Sequence, residues 1–321
     1  MIRRLDFAPL DGITRFVFRR VWARRFGGAD RIFVPFFSPT HHRIVTQRDL
    51  REITRQGAED LPLVPQVMTR LAPDFLWAAE VLEDMGYTEV NLNLGCPSGT
   101  VTAKGKGSGF LAHPEELDAF FDQMFSKVRL PVSVKTRLGY QSPEEFPRLL
   151  EIFDRYPIAC LTIHARVRPE KYKGPLHLDV FAEALKNSKN PVCFNGDLNT
   201  VENVRALEDR FPDLEAAMLG RGAVADPALF RKLRGGPAAA REELQAFTQE
   251  LYQAYQDFYG QTGTAAQRMR EVWFYLIHLF RDPDRLNRPM RRFRTPGEYE
   301  AAEAAIFREL ELMDHSEGVL A

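Results

Sequence analysis

The stretch VCFNGDLNTVENVRALEDRFPDLEAAMLGRG, residues 192–222, decides the fold. It contains two short apolar runs, Val192–Phe194 and Ala216–Leu219, and each run ends in a glycine-containing polar triplet. Continuous apolar character is typical of strands that are buried on both faces, as in a parallel sheet. A longer stretch separates the two runs, so the segment predicts two parallel strands joined by a crossover.

Six further runs of the same kind precede this segment. They are Leu5–Ala8, Ile32–Phe36, Leu63–Val67, Glu89–Leu92, Val132–Lys135 and Cys160–His164. Amphipathic stretches lie between them, including Phe75–Met85 and Pro114–Phe125, and Ser142 is a favourable N-cap. Eight strands alternating with helices predict an α/β fold of the (β/α)8 TIM barrel class over residues 1–235. An open doubly wound sheet is the alternative, but its GxGxxG fingerprint does not follow the first run.

The pattern changes near Pro237. Glu242–Tyr259, Ala265–Phe280 and Pro296–Met313 have the spacing of long helices, and no strand-like run accompanies them. Gly235-Gly236-Pro237 has the composition of a linker. The sequence therefore predicts a C-terminal all-helical domain over residues 236–321.

Composition bounds the class of protein. The 321 residues are 45% hydrophobic and 27% charged, which is an ordinary composition for a globular protein. The formal net charge is −1, so the overall charge does not by itself indicate a nucleic-acid partner. No long uncharged apolar run predicts a membrane span, and the first ten residues lack a signal-peptide core. Three scattered cysteines without a CxxC pair predict no disulfide framework, no metal site and a reducing, cytoplasmic setting.

Polar residues end nearly every predicted strand, which predicts a ligand site across the barrel mouth, where barrels carry their active sites. Asn195-Gly196-Asp197 and Gly220-Arg221-Gly222 end the last two strands, where barrels often bind a phosphate. Glycines let backbone N–H groups approach a phosphate closely, and the Arg221 guanidinium can pair with one bidentately. The alternative is that both triplets are merely tight turns.

Three single residues at strand ends are candidates for chemistry. Cys96 lies in a polar, glycine-flanked loop and is either a nucleophile or a general acid, whereas Cys160 and Cys193 lie within apolar strands and are predicted to be inert. Lys135 ends the fifth strand and needs an anion or another partner there. His164 ends the sixth strand, and we expect it to contact a ligand.

These residues belong to an ordered series of motifs that resembles the tRNA-dihydrouridine synthases. The series comprises Phe7–Thr14, Asn93–Pro97 with Gly107–Leu111, Val134–Gly139, His164–Arg166 with Tyr172–Pro175, Asn195–Asp197 and Gly220–Gly222. It spans about residues 5 to 235, and the ordered set is far more specific than any one motif. Arg15, Thr69 and Phe110 depart from the family pattern, which bears on fine specificity.

The resemblance implies a flavin enzyme in which FMN, reduced by NADPH, lies across the mouth and Cys96 protonates a uridine of tRNA. The cofactor-binding residues it implies are Ala8, Pro9, Leu10, Gln66, Lys135, His164, Asn195, Gly196, Asp197, Gly220 and Arg221. The substrate-binding residues we expect are Asn93, Lys104, Arg137, Arg166, Tyr172, Arg268, Arg270, Arg291 and Arg292. The uridine is expected to leave its stack to reach the pocket, with Asn93 bonding its polar edge.

Local charge supports a tRNA partner. Arg268–Arg294 contains eight arginines against three acidic residues, a local net charge of +5, which suits a phosphate backbone. An earlier group, Arg19, Arg20, Arg24 and Arg25, is predicted to be mostly surface. No obligate protein partner is implied. Two alternatives stay open: another FMN barrel that reduces a small molecule such as dihydroorotate or an enone, and a catalytically inactive RNA-binding barrel.

Overall fold

A closed barrel of eight parallel strands forms the body of the chain. The computed structural model describes residues 2–40 and 42–317. The strands are β1 Arg4–Phe7, β2 Arg31–Phe37, β3 Leu63–Val67, β4 Val90–Leu94, β5 Val132–Gly139, β6 Leu161–Val167, β7 Val192–Asn195 and β8 Ala216–Leu219. They follow one another in sequence order around the barrel, and β1 pairs with β8 to close it. All eight predicted strands are confirmed, and the barrel is confirmed over the open sheet.

Helices surround the barrel. They are α1 Phe16–Arg25, α2 Gln47–Ile53, α3 Ala72–Asp84, α4 Gly99–Thr102, α5 Pro114–Phe125, α6 Phe146–Phe153, α7 Leu178–Asn187, α8 Val201–Arg210, α9 Arg221–Ala225 and α10 Leu229–Leu233. Ser142 forms a capping box with Glu145, but it caps a 3-10 turn over Pro143–Glu145 that leads into α6. The segment after Cys96, expected to be a long loop, instead folds into α4 and a 3-10 helix over Gly107–Ala112.

Within the described residues, the C-terminal tail contains four α-helices. They are α11 Arg241–Tyr259, α12 Thr262–Leu276, α13 Asp284–Arg292 and α14 Pro296–Glu309. The three expected helices are present, although α12 ends before Phe280 and a 3-10 turn over Ile277–Leu279 follows. Helix α13 was not predicted because Pro289 lies inside it and most of its side chains are polar.

The tail packs directly against the first barrel helix. The ring of Phe247 from α11 lies 6.1 Å from that of Phe18 and 5.3 Å from that of Phe26, both edge to face. Arg24 and Arg25 both pair with Glu250 of α11. Burial of these rings holds the tail in a fixed position over the barrel. The division into two domains at residue 236 stays a prediction.

Arg19 corrects the prediction of a mostly surface arginine group. Its side chain is almost fully buried, with 1% exposure. The guanidinium donates to the backbone carbonyls of Thr14 and Glu52, each at 2.7 Å, and pairs with the Glu52 carboxylate. A buried guanidinium needs such partners, so Arg19 braces the loop after β1 against α2. Residues near Arg19 in the sequence do not indicate this burial, because Glu52 lies 33 residues away.

Candidate active site

One cavity of about 290 Å³ opens at the carboxyl ends of the barrel strands. Its wall contains every residue that the sequence predicted to bind the cofactor, from Ala8 to Arg221, together with Asn93, Cys96, Arg137 and Tyr172. Arg166 lies just behind this wall, and Lys104 lies outside it. The structure therefore gathers residues from all parts of the barrel sequence around one space of the size that holds a small ligand.

A ladder of side-chain amides runs under the cavity. The Asn93 side-chain carbonyl accepts hydrogen bonds from the backbone N–H groups of Gly95 at 3.0 Å and of Cys96 at 2.9 Å. The Asn93 amide donates to Gln66 at 2.7 Å, and Gln66 donates to Asn91 at 2.8 Å. Both acceptor positions of Asn93 are thus used, and one of its two amide N–H groups is left for a ligand.

The Cys96 loop folds back over itself. The Cys96 carbonyl accepts hydrogen bonds from the Ser108 backbone at 3.1 Å and from its hydroxyl at 2.8 Å. Gly107 has a φ of +57°, and a Cβ there would lie 2.9 Å from that carbonyl oxygen, so the close return needs glycine. Burial raises the pKa of the Cys96 thiol above its ordinary value. The thiol is therefore protonated at neutral pH, the state that a proton donor needs.

Lys135 and His164 face the cavity from neighbouring strands. The Lys135 ammonium donates to the Asn195 side chain at 2.8 Å, and the Asn195 amide is oriented by a bond to the Met218 carbonyl. Burial first, and then the nearby Arg137 charge, lower the pKa of Lys135 to about 7. Burial likewise lowers the pKa of His164 well below its ordinary value, so its imidazole is neutral. An anionic group bound beside this half-buried lysine would favour its charged form.

Two arginines converge on Asp197 at one side of the cavity. Arg166 and Arg221 each donate to the Asp197 carboxylate at 2.8 Å. Asp197 has a φ of +47°, a backbone conformation that the preceding turn imposes and that Asp tolerates better than most residues. The predicted contact of this triplet with a phosphate stays a prediction; in the structure the Asp197 carboxylate holds both guanidinium groups. Of the two, Arg221 lines the cavity and can donate to a phosphate there.

Glycine allows the loops after β7 and β8 to meet closely. A Cβ on Gly222 would lie 2.5 Å from the Cα of Asn199, so a larger residue would push the two loops apart. Helix α9 starts directly after β8. The loops after strands 7 and 8, with a short helix behind them, form the common phosphate site of barrel enzymes.

Two tyrosines stand at the mouth of the cavity. Tyr172, 47% exposed, lies under the guanidinium groups of Arg137 and Arg221, which are 5.5 and 5.2 Å from its ring centre. Tyr275 reaches the same wall from α12 of the tail. The sequence analysis missed Tyr275 because only the packing of the tail over the barrel brings it there. It also missed Pro35 and Phe36, although their place at a strand end was a usable signal.

The tail arginines differ in their surroundings. Arg270 donates to the Phe293 carbonyl and lies over its ring, and Arg268 pairs with Glu271, so both have partners within the tail. Arg291 and Arg292 are exposed at the end of α13. The Arg291 guanidinium lies 5.2 Å from the ring centre of Phe274, which is 38% exposed. Phe274 precedes Tyr275, so α12 joins this cationic surface to the cavity mouth.

Two further features bear on the class of protein. Across the part of the chain that the structure describes, no helix has both the length and the apolar character that crossing a bilayer requires. Within that same part, no cluster of three or more His, Cys, Asp or Glu side chains has an arrangement that could hold a metal ion.

Known proteins resemble this chain in sequence and in fold. Residues 6–311 match the model of the dihydrouridine synthase (Dus) family. A tRNA-dihydrouridine synthase B from Proteus vulgaris is 31% identical over 64% of this chain and 66% of its own length. A probable tRNA-dihydrouridine synthase 1 from Synechocystis is 30% identical over 83% of this chain and 76% of its own. An old yellow enzyme homologue from Zymomonas mobilis shares the barrel fold, with a TM-score of 0.52 at 14% identity over 74% of this chain and 90% of its own.

Proposed function

Because this chain belongs to the dihydrouridine synthase family, we propose that it reduces one uridine of tRNA to 5,6-dihydrouridine, with FMN as cofactor and NADPH as reductant. One observation carries the proposal: a single cavity brings together a protonated thiol, convergent amide groups and the Arg221 guanidinium that Asp197 orients. In one reaction, the thiol would protonate the substrate and the phosphate site would bind a nucleotide cofactor. A tRNA substrate agrees with the predicted cytoplasmic setting.

The residues around the cavity fit FMN. Its phosphate would lie against the Arg221 guanidinium, which lines the cavity and is held in place by Asp197. Lys135, Gln66 and His164 would contact the ring system and the ribityl chain, while Ala8, Pro9 and Leu10 supply an apolar wall. Gly220 lies next to Ala8 and Leu10 in this wall. When bound and reduced by NADPH, the flavin supplies hydride chemistry at the mouth.

The remaining wall suits a uracil ring. Asn93 keeps one amide N–H for a carbonyl of the base, because its other polar positions are used by the Cys96 loop and by Gln66. Arg137 lines the cavity close to Tyr172 and can donate to the second carbonyl. A base stacked in a folded RNA cannot reach such a pocket, so the uridine must flip out. Tyr172 and Tyr275 offer aromatic faces at the place where it enters.

Cys96 completes the reduction. Addition of hydride to one carbon of the uracil double bond leaves negative charge on the other carbon and its carbonyl. The Cys96 thiol delivers a proton to that carbon, so the base gains two hydrogen atoms in total and the thiolate is then reprotonated from solvent. A general acid of this kind contributes about a hundred- to ten-thousand-fold to the rate. The raised pKa of Cys96 keeps the proton available at neutral pH.

The tail would hold the tRNA. Arg288, Arg291 and Arg292 are exposed along α13, and Arg291 covers Phe274 next to the mouth. Exposed guanidinium groups beside an aromatic ring suit phosphates and unstacked bases. The net charge of the whole chain is close to zero. The proposal of an RNA partner therefore rests on this local surface.

Incubation of the purified protein with FMN, NADPH and an unmodified tRNA transcript, with oxygen excluded, tests this function. We expect one uridine to gain the mass of two hydrogen atoms, measured by mass spectrometry of the digested tRNA. Free uridine in the same assay is the control for the small-molecule alternative, and its reduction at a comparable rate would favour that alternative. A colourless protein that cannot be reconstituted with FMN, and that still binds tRNA, would favour an inactive RNA-binding barrel.

A further inference from the structure

We propose that a second cationic surface grips the RNA on the side of the cavity mouth opposite the tail. This surface, the rim cluster, consists of Arg43 and Lys106, which lie near the Asp74 carboxylate, and of Arg70 and Lys104 beside them. Its proposed partner is the sugar–phosphate backbone next to the target nucleotide. The inference rests on the proposed function and extends it, because it states how the RNA strand crosses the barrel.

The members of the rim cluster are brought together by three different loops. Arg43 follows β2, and its guanidinium lies 3.5 Å from the Asp74 carboxylate. Arg70 follows β3, and its guanidinium rests on the backbone of Gly105, where a Cβ would lie only 2.7 Å from it. Gly105 has a φ of +64°, a backbone conformation that favours glycine. Arg70 therefore lies between Lys104 and Lys106.

Charge within the rim cluster is left unbalanced. Lys106 interacts with both Asp74 and Lys104, and burial is the largest factor that lowers its pKa. Arg43 and Lys106 both lie near Asp74, Lys104 lies near Lys106, and Arg70 lies against Gly105, so within this described part of the chain four cations share the neighbourhood of one carboxylate. Cations held this close repel one another, and a polyanion bound from outside would relieve that repulsion. Arg70 and Lys104 are both exposed, so a partner can reach them.

The rim cluster and the tail lie at different strands around the cavity mouth. Helix α12 lies over the first and last strands, because Glu271 comes within 3.9 Å of a Cβ placed on Gly12 and Tyr275 shares the cavity wall with Arg221. The cluster follows β2, β3 and β4, and β4 stands four strands from β8 in the closed barrel. Lys104 and Lys106, which follow β4, therefore lie across the mouth from α12, and Arg43 and Arg70 lie along the edge between them.

The cluster is also linked to the proposed acid. Lys104 and Lys106 belong to the loop that returns over Cys96, where the Ser108 hydroxyl bonds the Cys96 carbonyl at 2.8 Å. A flipped nucleotide has a phosphate on each side of it, so a strand that delivers a base to Cys96 must cross both edges of the mouth. The cluster presents ammonium and guanidinium groups without an aromatic ring, which suits backbone contacts that position the strand rather than read its sequence. Leu71, 53% exposed beside Arg70, adds an apolar contact for a sugar face.

Charge reversal tests the rim cluster in the full-length flavin-loaded protein. The variant Arg70→Glu/Lys104→Glu is compared with Lys127→Glu/Lys189→Glu, which makes the same change in charge at exposed positions in the loops before β5 and β7, at the far end of the barrel. Binding of an unmodified tRNA transcript is measured over a range of NaCl concentrations, together with kcat and KM for dihydrouridine formation. Flavin content and melting temperature report on folding, and the milder Arg70→Gln/Lys104→Gln variant provides a second test.

We expect the rim variant to bind tRNA at least tenfold more weakly. The slope of log affinity against log salt concentration should become shallower by about 1.5, because two phosphate contacts are lost. The control should keep the wild-type slope. Unchanged binding in the rim variant, or equal losses in the control, would overturn the inference while leaving the proposed function intact. A different result would separate the two proposals. If the wild-type protein forms no dihydrouridine but only the rim variant loses RNA binding, the rim cluster is supported as an RNA-binding surface and the proposed function is rejected.

Discussion

The side-chain carbonyl of Asn93 accepts the backbone N–H of Cys96 at 2.9 Å. The same oxygen holds Gly95, and the Asn93 amide is tied to Gln66 of the neighbouring strand. The position of the thiol is thus set from β4 and not by the loop alone. A proton donor acts well only when it is held in place, so the residue proposed to bind the base also positions the proposed acid.

Arg221→Ala is expected to weaken FMN retention. The guanidinium is one of two that meet at Asp197, and charge-assisted hydrogen bonds to phosphate are worth about 1.5–3 kcal/mol. This corresponds to roughly a ten- to hundredfold rise in the Kd for FMN, measured by quenching of flavin fluorescence. Arg210→Ala removes an exposed guanidinium on α8 and serves as the control. Equal affinity in both variants would show that the phosphate lies elsewhere.

Reversal of Arg291 and Arg292 to glutamate is expected to weaken tRNA binding and to flatten its salt dependence, because both are exposed at the end of α13. Bound flavin and its reduction by NADPH should persist, since neither residue lines the cavity. The matched control is Arg205→Glu/Arg210→Glu on α8, where both side chains are exposed. If the control loses as much affinity as the tail variant, the docking surface is not on α13.

Tyr275→Ala is expected to lower kcat/KM for tRNA by about 5- to 150-fold, the range that loss of one base-stacking contact of about 1–3 kcal/mol produces. Tyr275→Phe keeps the ring and should keep most of the activity. The comparison separates stacking from a hydroxyl contact, because the hydroxyl is buried near Arg221 and Tyr172. Losses of the same size in both variants would point to the hydroxyl.

The stability of the cofactor-free chain is expected to rise with pH above 7. The folded-state pKa of Lys135 is about 7, well below its ordinary value, so the unfolded chain binds more protons between pH 7 and about 10. Stability therefore increases over this window, by less than about 1.4 kcal/mol per pH unit because cavity water screens the charge. Urea unfolding of wild type and Lys135→Met at several pH values measures the effect. A variant with the wild-type slope would assign the dependence to another group.

The barrel was predictable because its strands are buried on both faces and read as continuous apolar runs, such as Ala216–Leu219. The cavity wall was predictable for a related reason, since parallel strands in a closed barrel all end at one face. Helix α13 was not predicted, because its buried face consists only of Leu286 and Met290. The internal Pro289 and the surrounding arginines make the helical pattern of this short segment hard to recognise.

Contacts between segments that lie far apart in the chain could not be predicted from the sequence. Arg19 was expected at the surface because its neighbours are arginines, whereas its burial depends on Glu52 from another helix. Asp197 was grouped with the phosphate loop by its motif, but its carboxylate serves Arg166 and Arg221, which come from two other strand ends. Tyr275 enters the site from the tail, which no pattern within the barrel could indicate.

The role of Cys96 is tested most directly by a single turnover. Wild type, Cys96→Ala and, as controls, Cys160→Ala and Cys193→Ala are loaded with FMN, reduced beforehand and mixed with unmodified tRNA without oxygen. The controls remove thiols that are buried inside the barrel, so they should lose some stability and little activity. We predict that Cys96→Ala binds FMN and tRNA normally but forms dihydrouridine at least a hundredfold more slowly than wild type, the loss of about one general acid. Dihydrouridine formation by Cys96→Ala at the wild-type rate would contradict the proposed proton transfer.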